Sequence, residues 1–274
     1  MNQVLKIRTE KDIYPSESVL LMEIGETDCS FAVMHHASRI IYEFAYYKAE
    51  LNDDDLLKKI FGKYELLRSS FYRTVISWYM PECMLIPNKF YDHQQSGVLL
   101  DEIFGKDSAV AISESLAEWQ INTAYHVPAA DHETINRHYT TGNFWHHYSV
   151  TLKNRITNAT GGSLTVDFKT DSFSVVAVRN NSLLLAQIFS YTSAEDVLYY
   201  LLKICKQYSL LQNEVSVALS GLLDQQSAVF KELHQYFLNI QFAPLENRVQ
   251  LGEVFSEYPD HYFTSLSRLA ACVS

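Results

Sequence analysis

Displaced by 144 residues, one stretch of this sequence falls onto another with its pattern intact. The shift pairs Leu20 with Leu164, Glu23 with Asp167, Ser38 with Ser182, Tyr47 with Tyr191 and Tyr64 with Tyr208, and lays Leu66-Leu67 on Leu210-Leu211. In the later copy, residues 164–168, 172–178 and 183–191 read as three strands, with Asn180-Asn181 as a turn because asparagine tolerates positive φ. Ser193 then caps a helix, with Asp196 placed as in a capping box, and 215–219 returns to β structure before Gly221. In the earlier copy, 20–25, 29–35 and 40–47 are the strands, with a turn at Ala37-Ser38. Residues 52–55 open a helix ending near Leu67, and 71–78 is the closing strand. The helix start needs a small extra slip, so the order of elements repeats rather than a close sequence. The chain therefore reads as a tandem duplication of one α/β unit, with a first lobe over 1–158 and a second over 159–274.

The remaining segments read less regularly. Residues 1–17 form a polar lead-in, and 83–86 a short strand. A helical passage from Pro87 to a stop at Gly105 carries Phe90, Leu99, Leu100, Ile103 and Phe104. Residues 110–112 and 118–127 alternate as strands, and Pro128 begins a helix through about Tyr139. Residues 143–156 look like a connecting helix with Phe144, Trp145 and Tyr148, and 157–162 is a polar linker ending in Gly-Gly. A helix is expected over 226–239, and 241–274 follows no clear period.

Composition excludes some classes. Apolar residues at 47% and charged residues at 20% describe an ordered globular chain. The net charge of −10 and the scattered Lys and Arg argue against nucleic acid, which draws its affinity from clustered positive charge. No run approaches a membrane span. Four dispersed cysteines without a CxxC fit a reduced cytoplasmic setting.

Two copies of a three-strand meander followed by helix, strand and helix resemble the duplicated ribonuclease H-like fold of actin, sugar kinases and the Hsp70 ATPase domain. More closely, Leu85-Ile86-Pro87-Asn88-Lys89-Phe90-Tyr91-Asp92, set between the first copy and the following strands, is similar to a bacterial family of uncharacterised proteins with an actin-like ATPase fold. The resemblance spans about residues 16–272 and implies mixed sheets flanked by helices. It carries no established activity. In active actin-like ATPases, the first strand hairpin carries an acid followed by glycines, whose backbone N–H groups hold phosphate. Glu23, Gly25 and Thr27 match that pattern in part. Asp167, Lys169 and Thr170 keep the acid without any glycine, and Gly221 retains one glycine of the adenosine motif. Phosphate cradles need backbone without obstructing side chains, and the chain has only 9 glycines, about half the usual share.

Other chemistry has weaker support. Glu23 and Asp167 lack the further acids of a two-metal nuclease. The adjacent pairs His35-His36 and His146-His147 point to opposite faces on a strand, and no HExxH occurs, so no metal is expected. Ser220 has no GxSxG elbow, and Gly62-Lys63 and Gly105-Lys106 lack a P-loop. The expected function is a non-enzymatic interaction module with no cofactor and no catalytic residues. It would bind an unidentified protein partner or a second copy. The alternative is an ATP/Mg-binding protein, its cleft lined by Glu23, Gly25, Thr27, Asp167, Lys169, Thr170 and Gly221, whose nucleotide controls lobe closure.

Overall fold

The computed structural model describes the chain apart from residues 51–54, 106–107, 155–159, 247 and 274. By internal contact it forms two units. The first holds Met1–Val150, Asn247–Tyr258 and Arg268–Ser274, and the second holds Thr151–Glu246 and Pro259–Ser267. The expected boundary at 158/159 and residues 157–159 of the linker at 157–162 lie outside the described residues. The C-terminal segment, expected with the second lobe, is divided between the units because part of it hydrogen-bonds into the first unit's sheet.

In the first unit, β1 (Asn2–Arg8), β2 (Ser18–Gly25), β3 (Asp28–His35) and β4 (Ile40–Lys48) precede α1 (Leu56–Lys63) and β5 (Arg73–Tyr79). Then come β6 (Cys83–Pro87), α2 (His93–Phe104), β7 (Ala109–Leu116), β8 (Ile121–Pro128), α3 (Ala129–His138) and β9 (Asn143–His146). The main sheet runs β1-β4-β3-β2-β5-β9, while β6-β8-β7 form a smaller antiparallel sheet. The meander strands β2 and β3 are buried along almost their whole length, which is why they read as continuous apolar runs. Leu20, Met22, Phe31, Tyr47, Ile60 and Trp78 belong to one core cluster.

The chain enters the second unit within α4 (His147–Lys153). There β10 (Ser163–Phe168), β11 (Ser172–Arg179) and β12 (Ser182–Ser190) lead to α5 (Ala194–Gln207), β13 (Ser216–Gly221), α6 (Ala228–Tyr236) and β14 (Asn239–Phe242). Their sheet runs β12-β11-β10-β13-β14, the order in which β4, β3, β2, β5 and β9 run in the first unit. In both sheets the inner pair is parallel, β2 with β5 and β10 with β13. A register irregularity falls between Val33 and Met34 and again, 144 residues on, between Ala177 and Val178. The α5 helix buries Val197, Leu201, Ile204 and Cys205. Its expected capping box is present: the Ser193 hydroxyl accepts the Asp196 N–H at 3.2 Å, and the Asp196 carboxylate accepts the Ser193 N–H at 3.0 Å.

Several expectations need correction. The polar lead-in is the strand β1, paired antiparallel with β4 from Asn2↔Lys48 to Arg8↔Glu43. It buries only Ile7 fully, so its charges mask it as a strand. The connecting helix over 143–156 begins instead with β9, because Val75 to Trp78 of β5 offer a free edge to residues 143–146. The strand expected from 118 starts at Ile121, after a 3₁₀ turn over Ala117–Trp119 and a left-handed Gln120 at φ 54. The helix expected through 239 ends at Tyr236, since β13 recruits Asn239–Phe242 as a parallel strand. Residues 52–54 of the expected first-copy helix start, and Lys106 beside Gly105, lie outside the described residues. Beyond β14, β15 (Gln250–Leu251) pairs with Ile40 and Ile41, and α7 (Thr264–Ala270) follows α6 as the last α-helix among the described residues.

Candidate functional site

The first unit places Glu23, Gly25 and Thr27 on one hairpin. β2 ends at Gly25 and β3 begins at Asp28, with Glu26 and Thr27 exposed at the tip. A Cβ on Gly25 would lie 3.2 Å from the Asp28 carboxylate, so the glycine makes room for an acid. The Thr27 carbonyl accepts the Ala49 N–H at 2.7 Å. Beside the hairpin lies a cavity of about 270 Å³, whose lining includes Gly25, Glu26, Asp28, Glu50 and Asp131. Although Glu26 as a whole is exposed, partial desolvation of its carboxyl, and then the charge of Glu82, push that carboxyl above its ordinary range. Burial also raises Asp131, with Asp55 adding and Lys58 opposing, to about 6. Glu26, Asp28, Glu50 and Asp131 outnumber the cations beside them, the Met1 ammonium 2.9 Å from Glu50 and the Lys58 ammonium near Asp131, so the lining disfavours phosphate oxygens.

Asp131 holds its proton more tightly folded than unfolded, so it lowers stability as pH rises from about 4 to about 6. Asp131→Asn is expected to raise the stability of the protein by about 1 kcal/mol above pH 6, the full shift being discounted for partial exposure, and to have no effect below about pH 4. Thermal melts of both proteins across that range check it.

Glu23 is 2% exposed and stands opposite Ser77 in the parallel register. Its carboxylate accepts a hydrogen bond from His147 Nδ1 at 2.8 Å. β9, lying beside β5, delivers His147 to that position at the start of α4. The neighbouring His146 turns elsewhere, as adjacent residues must. Its Nε2–H donates to the Met80 carbonyl at 3.0 Å, and its Nδ1 accepts the Tyr148 N–H at 3.1 Å. That arrangement requires a neutral ring, and burial drives its pKa down to about 3. Cys83 Sγ lies 3.8 Å from the same Nδ1, but burial raises the thiol's pKa and His146 is too weak a base to activate it.

In the second unit, Asp167, Lys169, Thr170 and Gly221 gather where β10 and β13 end side by side. The Ser220 hydroxyl donates to Asp167 at 2.6 Å. Phe168 is fully buried in this unit's core, with Phe173 and Tyr191 rings at 5.5 and 6.1 Å. The backbone of Lys169 is engaged on both sides: its N–H donates to Ser172 O at 2.8 Å, and its carbonyl accepts the Tyr191 hydroxyl at 3.1 Å. Gly221 has φ +82, and a Cβ there would lie 2.1 Å from the Phe168 carbonyl oxygen, which accepts the Leu222 N–H at 2.9 Å. Close approach of two backbones thus accounts for this glycine without any ligand.

Sequence reasoning missed His147, Asp131 and the role of Ser220. For Ser220 a signal existed: its place in the parallel strand opposite an acid. For the other two no local pattern could have served.

The sequence profile of the family described as "Protein of unknown function (DUF3822)" matches residues 9–240. The chain belongs to this family. The DUF3822 chain is similar to a solved Bacteroides thetaiotaomicron protein with actin-like ATPase fold and unknown function. They share 18% identity at a TM-score of 0.73, covering 93% of this chain and 96% of that one. It is also similar to a chain of the PilM–PilN type IV pilus biogenesis complex, at 12% identity and a TM-score of 0.59, covering 94% and 99%. No curated protein matches the sequence. The expected likeness to an uncharacterised family is borne out, and the fold is the actin-like ATPase fold, a mixed α/β architecture. No helix among the described residues is long and apolar enough to cross a membrane.

Proposed function

We propose that this DUF3822 protein is a non-enzymatic interaction module, built as a tandem duplication of a ribonuclease H-like unit and acting on a protein partner in the cytoplasm. The observation that carries the reading is the acidic cavity at the first hairpin, where Glu26, Asp28, Glu50 and Asp131 converge. Phosphoryl transfer depends on phosphates held by close donors, and an acidic lining opposes the approach of the phosphates themselves. The second hairpin supports it, because Lys169 spends its backbone groups on Ser172 and Tyr191. The matching strand order of the two sheets supports the duplication. The free thiols of Cys29, Cys83, Cys205 and Cys272 agree with a reducing compartment. A neighbour of the same fold stands in a complex with a protein partner, PilM with PilN.

Thermal unfolding with and without millimolar Mg-ATP and Mg-ADP tests this. A ligand at 100 times its Kd would stabilise the folded state by about 2.7 kcal/mol, a shift of several degrees. No shift is expected. A clear shift with either nucleotide would overturn the reading in favour of an ATP-binding protein using Glu23, Gly25, Thr27, Asp167, Lys169, Thr170 and Gly221.

A further inference from the structure

Helix α2 turns its less apolar side inward. It buries only Ser96 and Leu100, while Val98, Leu99 and Ile103 stay exposed. The sheet face beneath it is equally poor in large apolar groups. There Ala111 and Ser113 of β7 pair with His126 and Ala124 of β8, on the side away from the core residues Tyr125 and Val127. Gly97 of α2 comes against Ala111, where an added Cβ would stand 3.5 Å from the alanine methyl. A helix docked in this way gains little from burial, so its polar bonds decide whether it stays.

Two sets of bonds hold it. Before its start, Asn122 Nδ2 donates to Asn88 Oδ1 at 2.8 Å, the Asn88 N–H donates to Gln120 O at 2.9 Å, and the Tyr91 and Ser113 hydroxyls meet at 2.7 Å. None of these involves a charged group. In the final turn, Asp101 Oδ1 lies 3.3 Å from His126 Nε2, and Glu82 Oε2, just before β6, lies 2.9 Å from Nδ1 of the same ring. His126 is 5% exposed. Carboxylates on opposite sides of an imidazole can both accept from it only when both nitrogens carry hydrogen. A neutral ring has one N–H, and its bare nitrogen would face a carboxylate with which it can form no bond. Among the described residues, Glu82 and Asp101 are the charged groups at the ring. Glu114 of β7 lies on the other face, where it accepts the His146 N–H at 2.8 Å, and α3 packs on that core side through Ile135. Glu82 also acts on Glu26 of the first hairpin, whose carboxyl it raises. On α2 itself, His93 bonds the Tyr91 hydroxyl at 3.2 Å and Glu102 is exposed.

We propose that His126 is a proton-operated latch for α2. The doubly protonated ring ties Asp101 to Glu82 and keeps the helix down. Loss of one proton as pH rises frees the end that carries Asp101, with the bonds at Asn88 and Tyr91 as the hinge. The inference is independent of the nucleotide reading. Hydrogen exchange of the full chain from about pH 6 to 9, expressed as protection factors, tests it, with the His126 ring followed by NMR in the same samples. Protection of residues 98–104 should fall at least about tenfold as the ring loses its proton, the worth of one charge-assisted bond, while β2, β3 and β5 stay unchanged. Asp101→Asn, whose amide can accept from the charged ring and donate to the neutral one, should hold protection constant across the range. His126→Gln should leave the helix at its released level throughout, and His93→Gln should leave the transition in place. A ring that keeps its proton throughout, or helix protection that stays constant while the ring titrates, would overturn the proposal. So would a transition that survives in Asp101→Asn or His126→Gln, one that disappears in His93→Gln, or a loss of protection shared equally by the main sheet.

Discussion

Gly221→Ala is expected to destabilise the second unit by at least about 4 kcal/mol, enough to leave it largely unfolded at ordinary temperature. Two effects add. The residue sits at φ +82, where an L side chain is strained, and its Cβ would stand 2.1 Å from Phe168 O and 2.7 Å from Phe168 N. Relief would require β10 and β13 to separate at Phe168↔Gly221, breaking the ladder that holds Asp167 against Ser220. Gly62→Ala is the control. Gly62 lies within α1, and a Cβ there meets nothing within 4 Å. That change should stabilise the protein by about 0.5–1 kcal/mol through helix propensity. Hydrogen exchange resolved by segment would read the two units separately, with protection of β10 and β13 lost only in Gly221→Ala. Had Gly221 been kept for a nucleotide, the alanine would disturb binding and leave the fold intact.

Removing His147 should be nearly as damaging in the first unit. His147→Leu deprives a carboxylate that is 2% exposed of a partner 2.8 Å away, and breaking such a buried pair costs about 3–5 kcal/mol. Glu23→Leu alone should cost a similar amount. The double change Glu23→Leu/His147→Leu should recover most of the loss, since paired apolar replacements are often neutral. Denaturant unfolding of the four proteins gives the coupling energy directly. Additive losses would mean that the pair contributes no mutual stabilisation.

What the sequence disclosed follows from what kept each element in place. β2, β3, β10 and β11 were legible because both of their faces are covered, leaving nearly unbroken apolar runs. The Ser193–Asp196 box was legible because its chemistry is local. β9 and β14 were not, since 4 residues give no period and their hydrogen bonds come from β5 and β13. β1 was hidden by charges that face water from an edge strand. Of the candidate site, the hairpin acids Glu23 and Asp167 could be seen, but their partners could not be inferred alike. Ser220 was open to inference from strand register, whereas His147 lies 124 residues from Glu23 and only the completed sheet brings it there. The acidity of the first hairpin's cavity likewise depends on Asp131, brought in by α3.

The return of residues 247–258 to the first unit has a consequence for how the polypeptide is made. β15 closes the edge at Ile40 and Ile41, and Arg39 donates to the carbonyls of Arg248 at 3.0 Å and Ala270 at 2.8 Å. A ribosome that has released only the first 150 residues has therefore not yet released part of the first unit's own sheet. Residues 151–246 of the second unit must be synthesised before that sheet can be finished. The first-born part of the protein is among the last to be completed.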